Sequence, residues 1–282
     1  MLPPNVVLDP LLRGWLQEDI GRGDRTTMGL GAIAHQMHQA IWITKAPGVI
    51  AGLPVAGRVF ALLDTQTAWV PLVNEGRWCE AGTKIAQVQG SLSSLLMGER
   101  VALNLAMRLS GIATLTHQYV DKIADLPAQL VDTRKTTPGL RLLEKYASGV
   151  GGARNHRLGL DDAVMVKDNH IAAAGSIEAA IAHIRKSMPY PLTIEVETET
   201  LAMVTAALAT QVDIIMLDNM TPDVMRQAVQ QIRQAQPHIK IEASGNVTLD
   251  TLRAVAETGV DYISTSAPIT RSPWLDLSMR MA

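Results

Sequence analysis

The 282-residue sequence predicts an α/β protein with two unlike halves. Three observations carry that expectation. Six short apolar segments, QLVDTR, DAVMVK, LTIEVE, DIIMLD, IKIEAS and VDYIST, start at residues 129, 162, 192, 213, 239 and 260, spaced by 33, 30, 21, 26 and 21 residues. Each interval has room for a strand and a helix, as successive parallel βα units require. Polar residues collect where these segments end: Asp132, Arg134 and Lys135; Lys167; Glu195 and Glu197; Asp218; Glu242 and Ser244; then Ser264, Thr265 and Ser266. Ligand and catalytic groups concentrate at those strand ends in a β/α barrel. The pattern predicts a closed or nearly closed barrel of roughly six recognisable strands, although an open doubly wound sheet would share the spacing.

The first half lacks this regularity. A helix is expected from Asp9, with Asp9 as its cap and Pro10 in its first turn, burying Leu11, Leu12, Trp15 and Leu16 and stopping before Gly21. GRGDRTT, 21–27, reads as a loop. A strand near 37–44, a helix over 55–63 and strands near 69–73 and 84–89 follow. Two helices are expected over 92–108 and 112–124, with Ser110 and Gly111 marking the break.

Composition narrows the class. Apolar residues make up 47% and charged residues 18%, which excludes a disordered chain. Cys79 is the only cysteine, so there is no disulfide framework. With 25 basic against 27 acidic residues, no broad positive surface for nucleic acid is expected. MLPPNVVLDP does not read as a secretory signal and no apolar run approaches about 18 residues, so a cytoplasmic protein without a membrane partner is expected. Thirteen Met against one Phe suggest a core of aliphatic and thioether side chains.

The chemistry lies in two charge sets. DTRKTTPGLR (132–141), GGARNHRLGL (151–160) and VKDNH (166–170) supply Arg134, Lys135, Arg154, His156, Arg157 and Lys167 on loops that a barrel would gather. Arg can hold a carboxylate or phosphate through two parallel hydrogen bonds and Lys adds a compact charge, so a small, multiply anionic ligand fits. Glu195, Glu197 and Asp218 form the complement, the two Glu facing one side of their strand. They could bind a cation that arrives on phosphates, hence Mg²⁺ with no permanent protein cage, or hold sugar hydroxyls near developing positive charge. Ser244, Gly245 and Asn246, then Ser264, Thr265 and Ser266, resemble the late phosphate-binding loops of a barrel. His156 serves a ligand or the structure equally well; His170 reads as structural and Cys79 as an inert thiol. No GxxxxGK[ST] or dinucleotide-type GxGxxG is present, which argues against ATP hydrolysis and nicotinamide-dependent hydride transfer.

These residues sit in a longer series: EDIGRGDRTT (18–27), KAPGVIAG (45–52), ERVALNLAMRLSGIAT (99–114), DTRKTTPGLR, NHRLGLDD (155–162), KDNH (167–170), EVET (195–198), LDNM (217–220), EASG (242–245) and GVDYIS (259–264). In this order the chain resembles the quinolinate phosphoribosyltransferase family, the carboxylating nicotinate-nucleotide pyrophosphorylases. The resemblance implies a mixed α/β N-terminal domain (1–111), an unusual α/β barrel of about six or seven parallel strands (112–270) and a C-terminal segment (271–282) packed on the first domain. It implies transfer of phosphoribosyl from 5-phosphoribosyl 1-pyrophosphate to quinolinate with loss of CO₂, substrate-associated Mg²⁺, and a homodimer, with a hexamer as a further assembly. Arg100 would be contributed across the dimer. Arg134, Lys135, His156, Arg157 and Lys167 would surround quinolinate, with Lys135, Glu197 and Asp218 catalytic. Ser244, Gly245, Asn246, Ser264, Thr265 and Ser266 would bind phosphate, and no residue is assigned as a metal ligand.

GGAR (151–154) and ISTSAPIT (263–270) depart from the family's commoner GGG-small and ISVGALT. Competing readings are a related protein associated with molybdenum transport, a phosphate-binding aldolase or isomerase barrel, and a metabolite-binding regulator. DTRKT with KDNH favours quinolinate chemistry over the first. The second would need a Schiff-base lysine or a carbon-acid base.

Overall fold

The computed structural model describes residues 1–282 and divides into two compact units. The first comprises Met1–His117, Thr137–Gly152 and Arg271–Ala282; the second comprises Gln118–Thr136 and Ala153–Thr270. The expected boundary at 111 therefore falls inside a helix, and Thr137–Gly152, expected within the barrel, belongs to the first unit.

The first stretch runs α1 (Asn5–Ile20), α2 (Arg25–Gly29), a 3-10 turn (Gly31–His35), β1 (Met37–Thr44), β2 (Gly48–Val49), α3 (Leu53–Leu63), β3 (Ala68–Pro71), β4 (Trp78–Cys79), β5 (Lys84–Ser91) and α4 (Leu92–Lys122). The remaining stretch adds β6 (Gln129–Val131), α5 (Arg141–Val150), β7 (Val164–Val166), α6 (Asp168–Ala174), α7 (Ile177–Ser187), β8 (Ile194–Thr198), α8 (Leu201–Leu208) and β9 (Ile214–Asp218). It closes with α9 (Pro222–Ala235), β10 (Lys240–Ser244), α10 (Leu249–Ala256), β11 (Tyr262–Ser264), α11 (Ala267–Thr270) and β12 (Leu277–Met281).

In the first unit, an antiparallel sheet runs β12-β1-β5-β3, with β12 paired to β1 from Ala40↔Met281 to Thr44↔Leu277. Alternate residues of β1 are buried: Ala40, Trp42 and Thr44. Trp42 packs edge-on against Phe60 and Trp69, with centroids 6.3 and 5.1 Å away, while Phe60 and Trp69 stack at 5.7 Å. This aromatic cluster corrects the thioether expectation, since Met216, Met220 and Met225 are the methionines found in the buried core.

Three local expectations change. α1 starts at Asn5, so Pro10 lies inside it, and Asp9 pairs with Arg58 (2.7 and 2.6 Å) instead of capping. The GRGDRTT loop turns into α2, because the Asp24 carboxylate accepts the Thr26 and Thr27 amides. α4 runs unbroken for 31 residues through Ser110 and Gly111. Ser110 Oγ accepts from Ala51 N and donates to Ala51 O, both at 3.0 Å. A Cβ on Gly111 would lie 2.0 Å from the Pro273 carbonyl oxygen. Both residues serve close packing, and neither ends the helix.

The second unit holds six parallel strands in the order β6-β11-β10-β9-β8-β7. The last strand in sequence, β11, lies beside the first, β6. That cyclic order belongs to a barrel and rules out the doubly wound sheet. β6 and β7 do not pair; a parallel bridge between Val131 and Arg154 occupies that side of β6. The result is the expected mixed α/β architecture with an unusual, incompletely closed barrel of six parallel strands.

Candidate active site

Period-2 geometry sends Glu195 and Glu197 to one face of β8. On that face Glu195 meets His156 and Glu197 meets Lys167. His156 Nε2 lies 3.2 Å from Glu195 Oε2 and 3.4 Å from Glu242 Oε2. Both carboxylates are only 3% exposed, and the second oxygen of each, Glu195 Oε1 and Glu242 Oε1, makes no hydrogen bond. Burial works to lower the imidazole pKa, but the carboxylates outweigh it and raise it to about 10. Nδ1 meanwhile accepts the Arg157 backbone N–H at 2.7 Å, which favours a neutral ring. The chain fixes that amide, so the ring turns its Nε2 proton toward the two carboxylates. The behaviour of Glu195 agrees: burial raises its pKa, His156 draws it back, and Glu242 raises it again.

Asp132, after β6, is buried and accepts Asn155 Nδ2 (2.7 Å) and His156 N (2.8 Å), tying the two basic loops together. Arg134 and Lys135 occupy a tight turn in which Lys135 N donates to Thr133 Oγ1 and Thr136 N to Arg134 O, both at 3.0 Å. Arg134 Nε is buried without a partner. Arg157 donates to Ala163 O at 2.8 Å, and burial followed by the Arg134 charge holds its pKa below the usual value. Two guanidinium groups are thus held within electrostatic reach of each other, an arrangement that favours a ligand of opposite charge.

Lys167 pairs with Glu197 at the ends of β7 and β8. Beside them, carboxylate oxygens of Glu197, Glu199 and Asp218 lie within 4.8 Å of one another, as do ligand atoms of His156, Glu195 and Glu242. Either group could coordinate a divalent metal. The all-oxygen set suits a hard cation such as Mg²⁺ better than the set whose imidazole proton already faces its carboxylates.

The late loops differ from simple phosphate cradles. Thr265 is buried; its hydroxyl donates to Val247 O (3.1 Å) and accepts from Ala267 N (3.2 Å). Ser264 is buried, while the Ser266 carbonyl accepts from Ile269 N and Thr270 N at 3.0 and 2.8 Å. Ser244 and Gly245 are half-buried and Asn246 is exposed. Arg100 belongs to the first unit, where it lines a cavity of about 510 Å³ with Trp15, Asn104, Arg108 and Thr137. His170 is structural, its Nδ1 accepting from Lys167 N at 2.9 Å. Burial raises the pKa of the Cys79 thiol, leaving it inert.

Two residues escaped the sequence reading. Glu199 continues the alternation of Glu195 and Glu197, a signal present in EVETE. Asn219 follows Asp218 and donates to its carboxylate at 2.6 Å; the clue was an Asp-Asn step at a strand end.

The architecture has close relatives. Residues 24–110 match the quinolinate phosphoribosyl transferase N-terminal domain and residues 112–280 its C-terminal domain. A protein assigned as a carboxylating nicotinate-nucleotide pyrophosphorylase in Synechocystis sp. is 64% identical over 280 residues, covering 99% of this chain and 94% of the relative. The Homo sapiens carboxylating nicotinate-nucleotide pyrophosphorylase is 38% identical over 283 residues, covering 100% and 93%. The crystal structure of NadC from Streptococcus pyogenes superposes with a TM-score of 0.94 at 40% identity, covering 100% of this chain and 99% of that one. With both halves matched in order and the barrel built as that family requires, the chain belongs to the quinolinate phosphoribosyltransferase family.

Proposed function

We propose that the protein transfers the phosphoribosyl group of 5-phosphoribosyl 1-pyrophosphate to quinolinate with decarboxylation, giving nicotinate mononucleotide, pyrophosphate and CO₂ in NAD biosynthesis. One observation carries the reading: in a chain matching this family through both halves, crowded cations and a separate carboxylate set leave the ends of one ring of parallel strands.

Arg134, Lys135, His156, Arg157 and Lys167 bind quinolinate, their charges answering its two carboxylates. Arg100 completes the pocket from the partner subunit of a homodimer, with a hexamer as the further assembly. The bound ring presents its nitrogen to the ribose C1, and holding the reactants in line supplies much of the acceleration. The nitrogen–C1 bond forms as the bond from C1 to pyrophosphate breaks. Glu197 and Asp218 stabilise the positive charge developing on the ribose. Glu197, Glu199 and Asp218 would hold substrate-associated Mg²⁺, which when bound shields the charge of the leaving pyrophosphate. Ser244, Gly245, Asn246, Ser264, Thr265 and Ser266 form the walls facing the phosphates, through backbone amides where their hydroxyls are already engaged. With the ring nitrogen quaternised, the C2 carboxylate leaves as CO₂ and the electron pair left at C2 takes up a proton. Lys135 and the neighbouring arginines stabilise that carbanion through their field. No helix is long and apolar enough to cross a membrane.

The test is turnover by the purified chain. CO₂ and pyrophosphate should appear in equal amounts, and only when quinolinate, 5-phosphoribosyl 1-pyrophosphate and Mg²⁺ are all present. Efficient use of nicotinate with none of quinolinate would overturn the assignment.

A further inference from the structure

Asn219 and Asn246 are the non-glycine residues with positive φ, at 54° and 48°. Left-handed backbone is unfavourable for any side chain, though Asn tolerates it better than most. At Asn219 the strained backbone coincides with a specific set of contacts. Its backbone N–H donates to Ser244 O at 3.0 Å, extending the β9–β10 ladder one step beyond the Asp218↔Ser244 pair. Its Nδ2 donates to Asp218 Oδ2 at 2.6 Å. Gly245, at φ 101°, makes room for this turn: a Cβ there would lie 2.2 Å from Asn219 Oδ1 and 2.7 Å from both Asn219 Cγ and its backbone N.

Asp218 has reason to need a holder. Its carboxylate lies within 4.8 Å of two others, Glu197 and Glu199, and like charges at that range drive side chains apart. Lys167 compensates Glu197, whereas Asp218 receives its hydrogen bond from Asn219. We infer that Asn219 is a positioning residue, whose amide, admitted by the bare Cα of Gly245, holds Asp218 turned toward Glu197 and Glu199 so that the three carboxylates act together on a divalent cation carried by the ribosyl substrate. Gly245 thereby gains a steric role independent of any phosphate. The inference rests on the function proposed above for this site.

Asn219→Gly separates positioning from folding, because glycine accepts the left-handed backbone without strain. Three measurements on the full chain are needed: the thermal midpoint, Mn²⁺ binding followed by the electron paramagnetic resonance of the free ion, and the kcat and KM for quinolinate. The expected result is a thermal midpoint at or above wild type, Mn²⁺ affinity and kcat each reduced on the order of tenfold, and an unchanged KM for quinolinate. Gly245→Ala, which pushes on the same amide, should lower Mn²⁺ affinity as well. Wild-type Mn²⁺ affinity and kcat in Asn219→Gly, or losses that merely follow a lowered thermal midpoint, would overturn the inference. Mn²⁺ affinity that falls in Asn219→Gly as expected, in a wild-type chain that does not turn over quinolinate, would instead refute the assigned reaction.

Discussion

Each unit buries glutamates, and the two sites differ in whether their oxygens are satisfied. In the first unit Glu144 is fully buried. Its Oε1 accepts from Arg108 Nε (3.1 Å), Arg108 Nη2 (2.7 Å) and Thr137 Oγ1 (2.9 Å), while its Oε2 accepts from Thr137 N (2.8 Å). Arg108 also donates to Ser272 Oγ at 3.0 Å. In the barrel, Glu195 and Glu242 are almost as deeply buried, yet they share one imidazole nitrogen and each leaves an oxygen bare. Burial of a carboxylate therefore does not by itself mark a site; the supply of donors does. The closed set joins α4, α5 and the segment after α11, and both Glu144 oxygens are supplied with donors. The open set keeps unsatisfied acceptors and a displaced protonation equilibrium where the barrel meets its loops, features that mark function more often than scaffolding.

Breaking the closed set should produce the largest change in stability. Glu144→Ala leaves Arg108 and Thr137 N without their acceptor, and removing one partner of a buried ion pair costs about 3–5 kcal/mol. Denaturant unfolding should show that loss. The open set should respond differently. Glu242→Gln removes one of two mutually repelling carboxylates and leaves a balanced His156–Glu195 pair, so stability should hold or rise by about 1 kcal/mol, while quinolinate turnover falls because the His156 ring loses one of its two anchors. A destabilisation equal to that of Glu144→Ala would erase the distinction. The smallest effect is expected at Asp9. The hydrogen bond from Arg58 holds its carboxyl below the ordinary range, against slight burial. The folded pKa is depressed, so the contribution is present above the unfolded carboxylate pKa and fades as pH falls through the folded value. Asp9→Asn should lower the thermal midpoint slightly at pH 7 and not at pH 2, and its helix should keep its length because Asp9 is not the cap.

Much of this organisation was legible in the sequence, and the failures have physical causes. The six barrel strands announced themselves because each is a short apolar run ending in polar residues. The cyclic order was not written there, since β6 and β11 meet only through closure. Ser110 and Gly111 look like a helix break until Ala51 and Pro273, distant in sequence, come against them. Short-range rules similarly placed a cap at Asp9, whose partner Arg58 lies 49 residues away. At the site, the charged strand ends were readable, but their pairing was not. Which glutamate meets His156 and which meets Lys167 depends on depth along the barrel, and Asn219 acquires its role from a backbone angle.

The direct test of the barrel mouth as the quinolinate site is a calorimetric titration of quinolinate into wild type and Lys135→Ala. The two proteins should have matching thermal midpoints, because Lys135 lies in an exposed turn and its side chain anchors no part of the fold. Removal of a charge that meets a substrate carboxylate should weaken binding by about 2–5 kcal/mol. Unchanged quinolinate affinity, with the loss confined to 5-phosphoribosyl 1-pyrophosphate, would contradict the account.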